Sequence, residues 1–278
     1  MNDKSQGRAA FYIALAGIFW SFSGVLGKFA PWNPFSLVGF RSVIAVLLLG
    51  KIRDSFRPKH TLWTWLGALG VAGTSVLFLC ANKLTSSANA IVLQYAMTAI
   101  VILVQIFILR QKPRRIDIAA ALLVMAGVAL CFCQGMARGK LLGDALGLAS
   151  AVTWALVFLA ARMPGVDALS YAYQGNLLTC LLIFSLPFDA AIPGGGISGW
   201  LAAAAMGLFL GMGYFFFSCG MKTGLSPTVA AIIANIEPVI NPIWVFLFLG
   251  ETPGLMSVLG ACLVLATVTV YSLRRDSA

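Results

Sequence analysis

Residues 227–249 read PTVAAIIANIEPVINPIWVFLFL, a run of 23 residues with a single charge, Glu237, and with Pro238 and Pro242 in its interior. A helix of about 20 residues, at 1.5 Å rise per residue, covers the ~30 Å hydrocarbon core of a bilayer. Nine more stretches of this kind lie upstream and downstream, at about 9–29, 34–51, 62–81, 87–109, 116–133, 141–161, 168–188, 197–220 and 254–273. Together the ten fill almost all of the 278 residues, and nothing between them is large enough for a soluble domain. The chain is 60% hydrophobic and 10% charged, against about 25% charged in soluble domains. Long apolar runs exclude a β-barrel, whose strands alternate. Only helices then satisfy the backbone within lipid, so the sequence predicts an all-α integral membrane protein with ten transmembrane helices. The first stretch, at about 20 residues, exceeds the 7–15-residue core of a cleavable signal and reads as the first span.

The net charge of +10 is explained by placement rather than by nucleic acid. With the loops alternating between two sides, the N-terminal side carries Lys4, Arg8, Lys51, Arg53, Arg57, Lys59, Arg110, Lys112, Arg114, Arg115, Arg162, Lys222, Arg274 and Arg275. The other side carries Lys28, Lys83, Arg138 and Lys140, and Arg41 stays within the second span. That imbalance of 14 to 4 places both termini in the cytoplasm, and the scatter of basic residues over short loops argues against a nucleic-acid partner. The six cysteines all lie in apolar segments, and the single histidine, His60, lies in a loop. No zinc-ligand spacing results, and neither a metal nor a cofactor is expected.

A shift of 139 residues lays the third-to-fifth spans on the eighth-to-tenth. Phe78 then meets Phe217, Cys80 meets Cys219, Lys83 meets Lys222, Ser87 meets Ser226 and Phe107 meets Phe246. Nearer the front the shift is 134, pairing Trp20 with Trp154 and Lys28 with Arg162. The chain therefore divides into a first repeat, 1–135, and a second, 136–278. Five spans in each half is an odd number, so the second repeat is inverted relative to the first. Inverted repeats around a midplane site are a recurring plan of secondary transporters.

Glu237-Pro238 in the ninth span, the Gly250-Glu251 turn, Gly260-Ala261 in the tenth, Trp20, Trp154 and Arg41 together resemble the drug/metabolite transporter superfamily, specifically its ten-span EamA-type exporters. Bacterial aromatic amino-acid exporters of the YddG type are the most similar. The first half departs from the family pattern, with Ala99 in place of a frequent proline and Gln111-Lys112 in place of a frequent acidic residue. The resemblance implies a secondary transporter of the bacterial inner membrane that exports small metabolites, amino acids and their analogues above all, by alternating access, with export of other metabolites or drugs as the alternative. Each chain contains its own two repeats, so a functional monomer is expected.

Glu237 alone among nine acidic residues lies near mid-span. A carboxylate there costs at least ~2.5–3.5 kcal/mol to insert, so it should face the bundle interior. It can serve as counter-charge to a substrate ammonium, as a proton carrier, or as the partner of Arg41 in an intramembrane ion pair, since depth arithmetic puts the two at similar levels. Arg41 snorkelling to the headgroups is the alternative. Pro238 and Pro242 each remove a backbone donor and kink the ninth helix, exposing carbonyls beside Asn235 and Glu237. Trp20, Phe78, Tyr95, Trp154 and Tyr214 supply aromatic faces within the spans, and Gln94 and Met97 belong to the matching part of the fourth span. These residues are the expected cavity for a hydrophobic zwitterion, with ordinary core packing as the alternative for each aromatic. The absence of any span histidine or triad argues against an embedded enzyme, and the scarcity of polar faces argues against a channel.

Overall fold

The computed structural model describes residues 3–85, 87–110, 113–133, 141–250 and 254–276. Gln111, Lys112, Arg138, Lys140 and Glu251, which entered the charge count and the family comparison, lie outside the described residues. The described residues form twelve α-helices and one 3₁₀ segment, with no strand among them. In chain order these are α1 (Asp3–Phe29), α2 (Pro34–Ile52), α3 (Leu62–Leu84), α4 (Ser87–Tyr95), α5 (Met97–Phe107), α6 (Arg115–Phe132), α7 (Leu141–Ala160), α8 (Ala168–Cys180), the 3₁₀ segment Leu181–Phe188, α9 (Ile192–Lys222), α10 (Pro227–Ala234), α11 (Ile236–Leu249) and α12 (Leu255–Asp276). Eight helical stretches among the described residues are long and apolar enough to cross a membrane. The two remaining apolar stretches of the sequence form α6 and α12, which pack on each other.

Local chemistry sets the helix ends. Asn33 caps α2 by accepting from the Phe35 N–H at 3.0 Å, with Pro34 at the first helical position, where its missing donor costs nothing. Thr61 caps α3, and Ser226 with Pro227 starts α10 in the same way. Gly250 ends α11 in the left-handed conformation (φ 69°), a position a Cβ would strain.

Two of the apolar stretches are broken near their middles. The ninth divides at Asn235, because Pro238 cannot donate to the carbonyl of Ala234. The fourth divides at Ala96, although no proline is present there. Ala96 and Asn235 are 139 residues apart, the same shift that lays the fourth apolar stretch on the ninth. The two breaks also touch: Asn235 Nδ2 donates to Thr98 Oγ1 at 3.0 Å, and Thr228 is hydrogen-bonded to Gln105 farther along.

Small residues let the helices approach. Gly207 and Gly211 of α9 sit against Ile44 and Leu48 of α2, Gly147 of α7 against Leu93 of α4, and Gly17 of α1 against Ile236 of α11. α1 runs along α9, and α7 runs along α3. α2 meets α9 as α8 meets α3. The α1–α9 pairing is antiparallel: Gly220 lies on Ala9 and Ile13 at one end, and Gly199 on Phe29 at the other.

Candidate functional site

A cavity of about 560 Å³ opens between α1, α2, α3, α4 and α11, with Met206 contributed by α9. Its mouth is at the far end of α1 from the N-terminus, where Lys28, Pro31 and Lys83 lie. Its walls carry Trp20, Phe78, Leu79 and Ile91 as apolar surface and Gln94, Tyr95, Asn82 and Asn241 as polar surface. Two charges reach the deeper part, Arg41 from α2 and Glu237 from the first turn of α11. Arg41 is 7% exposed, and Glu237 is half-buried, its exposure being to the cavity.

The polar groups of this cavity are largely unspent. Among the described residues no hydrogen bond or ion pair to Arg41 is found, and its Nε is buried without a partner. The Tyr95 hydroxyl neighbours the Glu237 carboxyl, and among the described residues neither Tyr95 Oη nor Asn241 Oδ1 has a well-formed hydrogen bond. Buried polar atoms in native proteins are nearly always satisfied, and each orphan costs about 1–3 kcal/mol. Several orphans around one cavity mark a place that water or a bound molecule completes.

Beneath the cavity the bundle is closed by rings. Trp20 stands edge-on to Trp154, with centroids 5.0 Å apart, and to Tyr214 at 5.3 Å. Trp154 meets Phe158 at 5.3 Å, and Phe158 meets Phe217 at 5.0 Å. All five are buried, and edge-to-face pairs of this kind add about 0.5–1.5 kcal/mol each beyond their buried area. The stack joins α1 and α9 on one side to α7 on the other, so it blocks the path toward the N-terminal end.

That end is tied as well. Asp167, just before α8, accepts from Ser170 Oγ at 2.9 Å and Ser218 Oγ at 3.3 Å and pairs with Lys222 Nζ at 3.3 Å, joining α8 to α9. Burial pushes the Asp167 carboxyl up, but the Ser170 hydrogen bond and the Lys222 ammonium outweigh it and hold it below the ordinary carboxylate value of 3.8. A depressed carboxyl adds stability that is complete above the unfolded-state value and disappears as pH falls through the folded one. Asp167→Asn should therefore melt at a lower temperature than the parent at pH 7, by a small margin because Lys222 is largely exposed, and the difference should vanish toward pH 3. Thermal denaturation across that range in detergent measures it. A difference that grew with acid would contradict the assignment.

The EamA-like transporter family model matches this chain twice, over residues 7–133 and 141–273. The chain belongs to the EamA-like transporter family. It is a multi-pass membrane protein, and its family is one of transporters. An uncharacterized transporter of Archaeoglobus fulgidus is 25% identical over 293 residues, covering 96% of this chain and 97% of the relative. The crystal structure of another protein superimposes with a TM-score of 0.79 at 20% identity, over 97% of this chain and 98% of that one, which shows a shared fold.

Within this EamA-like bundle, the residues singled out in the sequence fall into two groups. Trp20, Phe78, Gln94, Tyr95, Glu237, Arg41 and Pro238 line the cavity. Trp154 and Tyr214 lie behind Trp20 in the aromatic stack, Met97 is fully buried, and Pro242 lies inside α11. Asn235 is also fully buried and spends its amide on Thr98 and on the Ala231 carbonyl at 2.7 Å. Arg41 and Glu237 reach the same cavity from different helices, and no ion pair within 4.0 Å joins them. Asn82, Ile91 and Met206 line the cavity without having been singled out. Asn82 follows Phe78 by four residues, and Ile91 precedes Gln94 by three, so helical spacing was the signal that pointed to them. Met206 carried no such signal. Among the described residues no group of His, Cys, Asp or Glu is placed to hold a metal.

Proposed function

We propose that this EamA-like protein is an inner-membrane exporter of amino acids, aromatic and other hydrophobic or neutral ones, similar in type to the YddG-like exporters, with both termini in the cytoplasm. In this reading the ten apolar stretches are ten spans in two inverted repeats, 1–135 and 136–278. The twofold match of the family model supports it, with matched segments that begin 134 residues apart. So does the exchange symmetry of the packing, in which α1, α2, α3 and α6 correspond to α7, α8, α9 and α12, and α1 on α9 mirrors α7 on α3. Alternating access follows from an inverted pair that can exchange conformations.

One observation carries the choice of cargo: the cavity is open at one end, closed by the Trp20 stack at the other, and holds a carboxyl, Glu237, among aromatic walls. Glu237 takes the ammonium of the cargo, and Trp20 and Phe78 take its side chain by apolar contact. The protein acts as a monomer, each chain containing its own cavity, and the open mouth faces away from the cytoplasm.

Uptake of labelled phenylalanine, threonine and glutamate into proteoliposomes, with and without a pH gradient, tests this. Entry of phenylalanine and threonine irrespective of the gradient is expected for a facilitator. No uptake of any amino acid by monodisperse protein would overturn the cargo assignment.

A further inference from the structure

Arg41 is a charged group with little visible compensation among the described residues. Its side chain is more than nine-tenths buried, lies at membrane depth in α2, and lines the cavity. Among the described residues no hydrogen bond or ion pair to Arg41 is found, and its Nε is buried without a hydrogen-bond partner. A buried charge left without a partner is strongly destabilising, and Arg41 lies in that condition in this structure. Its backbone is held firmly: the Arg41 carbonyl abuts Gly207 of α9, where a Cβ would leave no room, so the guanidinium projects from a tightly packed root. Glu237, the acidic residue of the cavity lining, does not neutralise it, for no ion pair within 4.0 Å joins the two.

A fork of N–H donors without an anion is a recognition element for a planar anion, because guanidinium and carboxylate match in bidentate geometry. We propose that Arg41 binds the carboxylate of the transported molecule and is the residue by which the cavity distinguishes a carboxylate-bearing cargo from an amine. This rests on the amino-acid reading above and deepens it: with the ammonium at Glu237, a zwitterion compensates both isolated charges at once, and Tyr95 and Asn241 remain for the polar periphery. Lys28 and Lys83 at the mouth add positive potential on the path, which favours entry of the carboxylate end.

The test compares parent, Arg41→Gln and Arg41→Lys protein in two assays. The first is competition against labelled phenylalanine uptake by unlabelled phenylalanine and by phenethylamine, which lacks the carboxylate. The second is the change in thermal melting on adding 3-phenylpropionate, which lacks the ammonium. The parent should prefer phenylalanine over phenethylamine by at least tenfold. Arg41→Gln should bring that ratio near one and abolish the melting shift with phenylpropionate, and Arg41→Lys should keep part of both. Folding of each variant is read from the melt itself, and removing a buried charge should leave Arg41→Gln no less stable than the parent.

If the parent takes up no amino acid yet phenylpropionate raises its melting temperature in an Arg41-dependent way, the carboxylate site stands and the amino-acid cargo falls. If amino acids are transported but the phenylalanine to phenethylamine ratio is the same in parent and Arg41→Gln, the carboxylate role of Arg41 is overturned and the cargo assignment survives.

Discussion

Glu237→Gln should leave the protein folded and reduce the apparent affinity for phenylalanine by roughly ten- to a hundredfold in proteoliposomes. The magnitude follows from a hydrogen bond to a charged group, worth about 1.5–3 kcal/mol, at 1.4 kcal/mol per tenfold. The fold should tolerate the change because the amide keeps the size of the carboxyl and removes the cost of a charge at membrane depth. Thermal melting should therefore be equal or slightly raised, which separates loss of binding from loss of structure. If phenylalanine uptake by the parent proves gradient-dependent and the dependence disappears in Glu237→Gln, the carboxyl is a proton-coupling site instead of an ammonium site. Unchanged uptake would remove Glu237 from the binding scheme.

Trp154→Ala should have the largest effect on stability. The side chain is 6% exposed and lies between Trp20 and Phe158 in the stack that closes the cavity on the N-terminal side. Truncating a buried tryptophan removes its dispersion contacts and leaves a void, at about 3–5 kcal/mol. The neighbours cannot collapse easily, since Trp20 is already pressed against Gly213 of α9, where even a Cβ would collide with the indole. Trp154→Phe should recover most of the loss by retaining an edge for Trp20. Melting in detergent of the two variants against the parent decides the matter. An alanine variant that melts with the parent would show that the stack is not a structural seal.

Much of the architecture was legible without coordinates, because in lipid the only permitted response to a long apolar run is a helix. The run 227–249 read as a spanning helix, and Pro238 announced its break, since a missing N–H is a local property of the chain. The break at Ala96 was not announced. Ala99 stands where a proline would have signalled it, and the helix parts there in a region held by the Asn235–Thr98 contact, which links residues 137 positions apart. Trp20 and Trp154, which the 134-residue shift aligns in the sequence, stand edge-on to each other in the structure. Arg41 and Glu237 were matched in depth by counting residues, but depth is only one coordinate. Whether two side chains at one level touch depends on which helices lie between them and how each is rotated.

The sequence by itself therefore determined the solvent of this protein, the helical class and the presence of two charges within the spans, all of which follow from local periodicity and the dielectric cost of the bilayer. Only the tertiary structure decided that Trp154, Tyr214, Met97 and Asn235 lie behind or beneath the cavity while Asn82 and Met206 line it, and that Arg41 and Glu237 face it without pairing. Those outcomes depend on helix rotation and on close approach at glycines such as Gly207 and Gly213, and packing of that kind is set by neighbours distant in the chain.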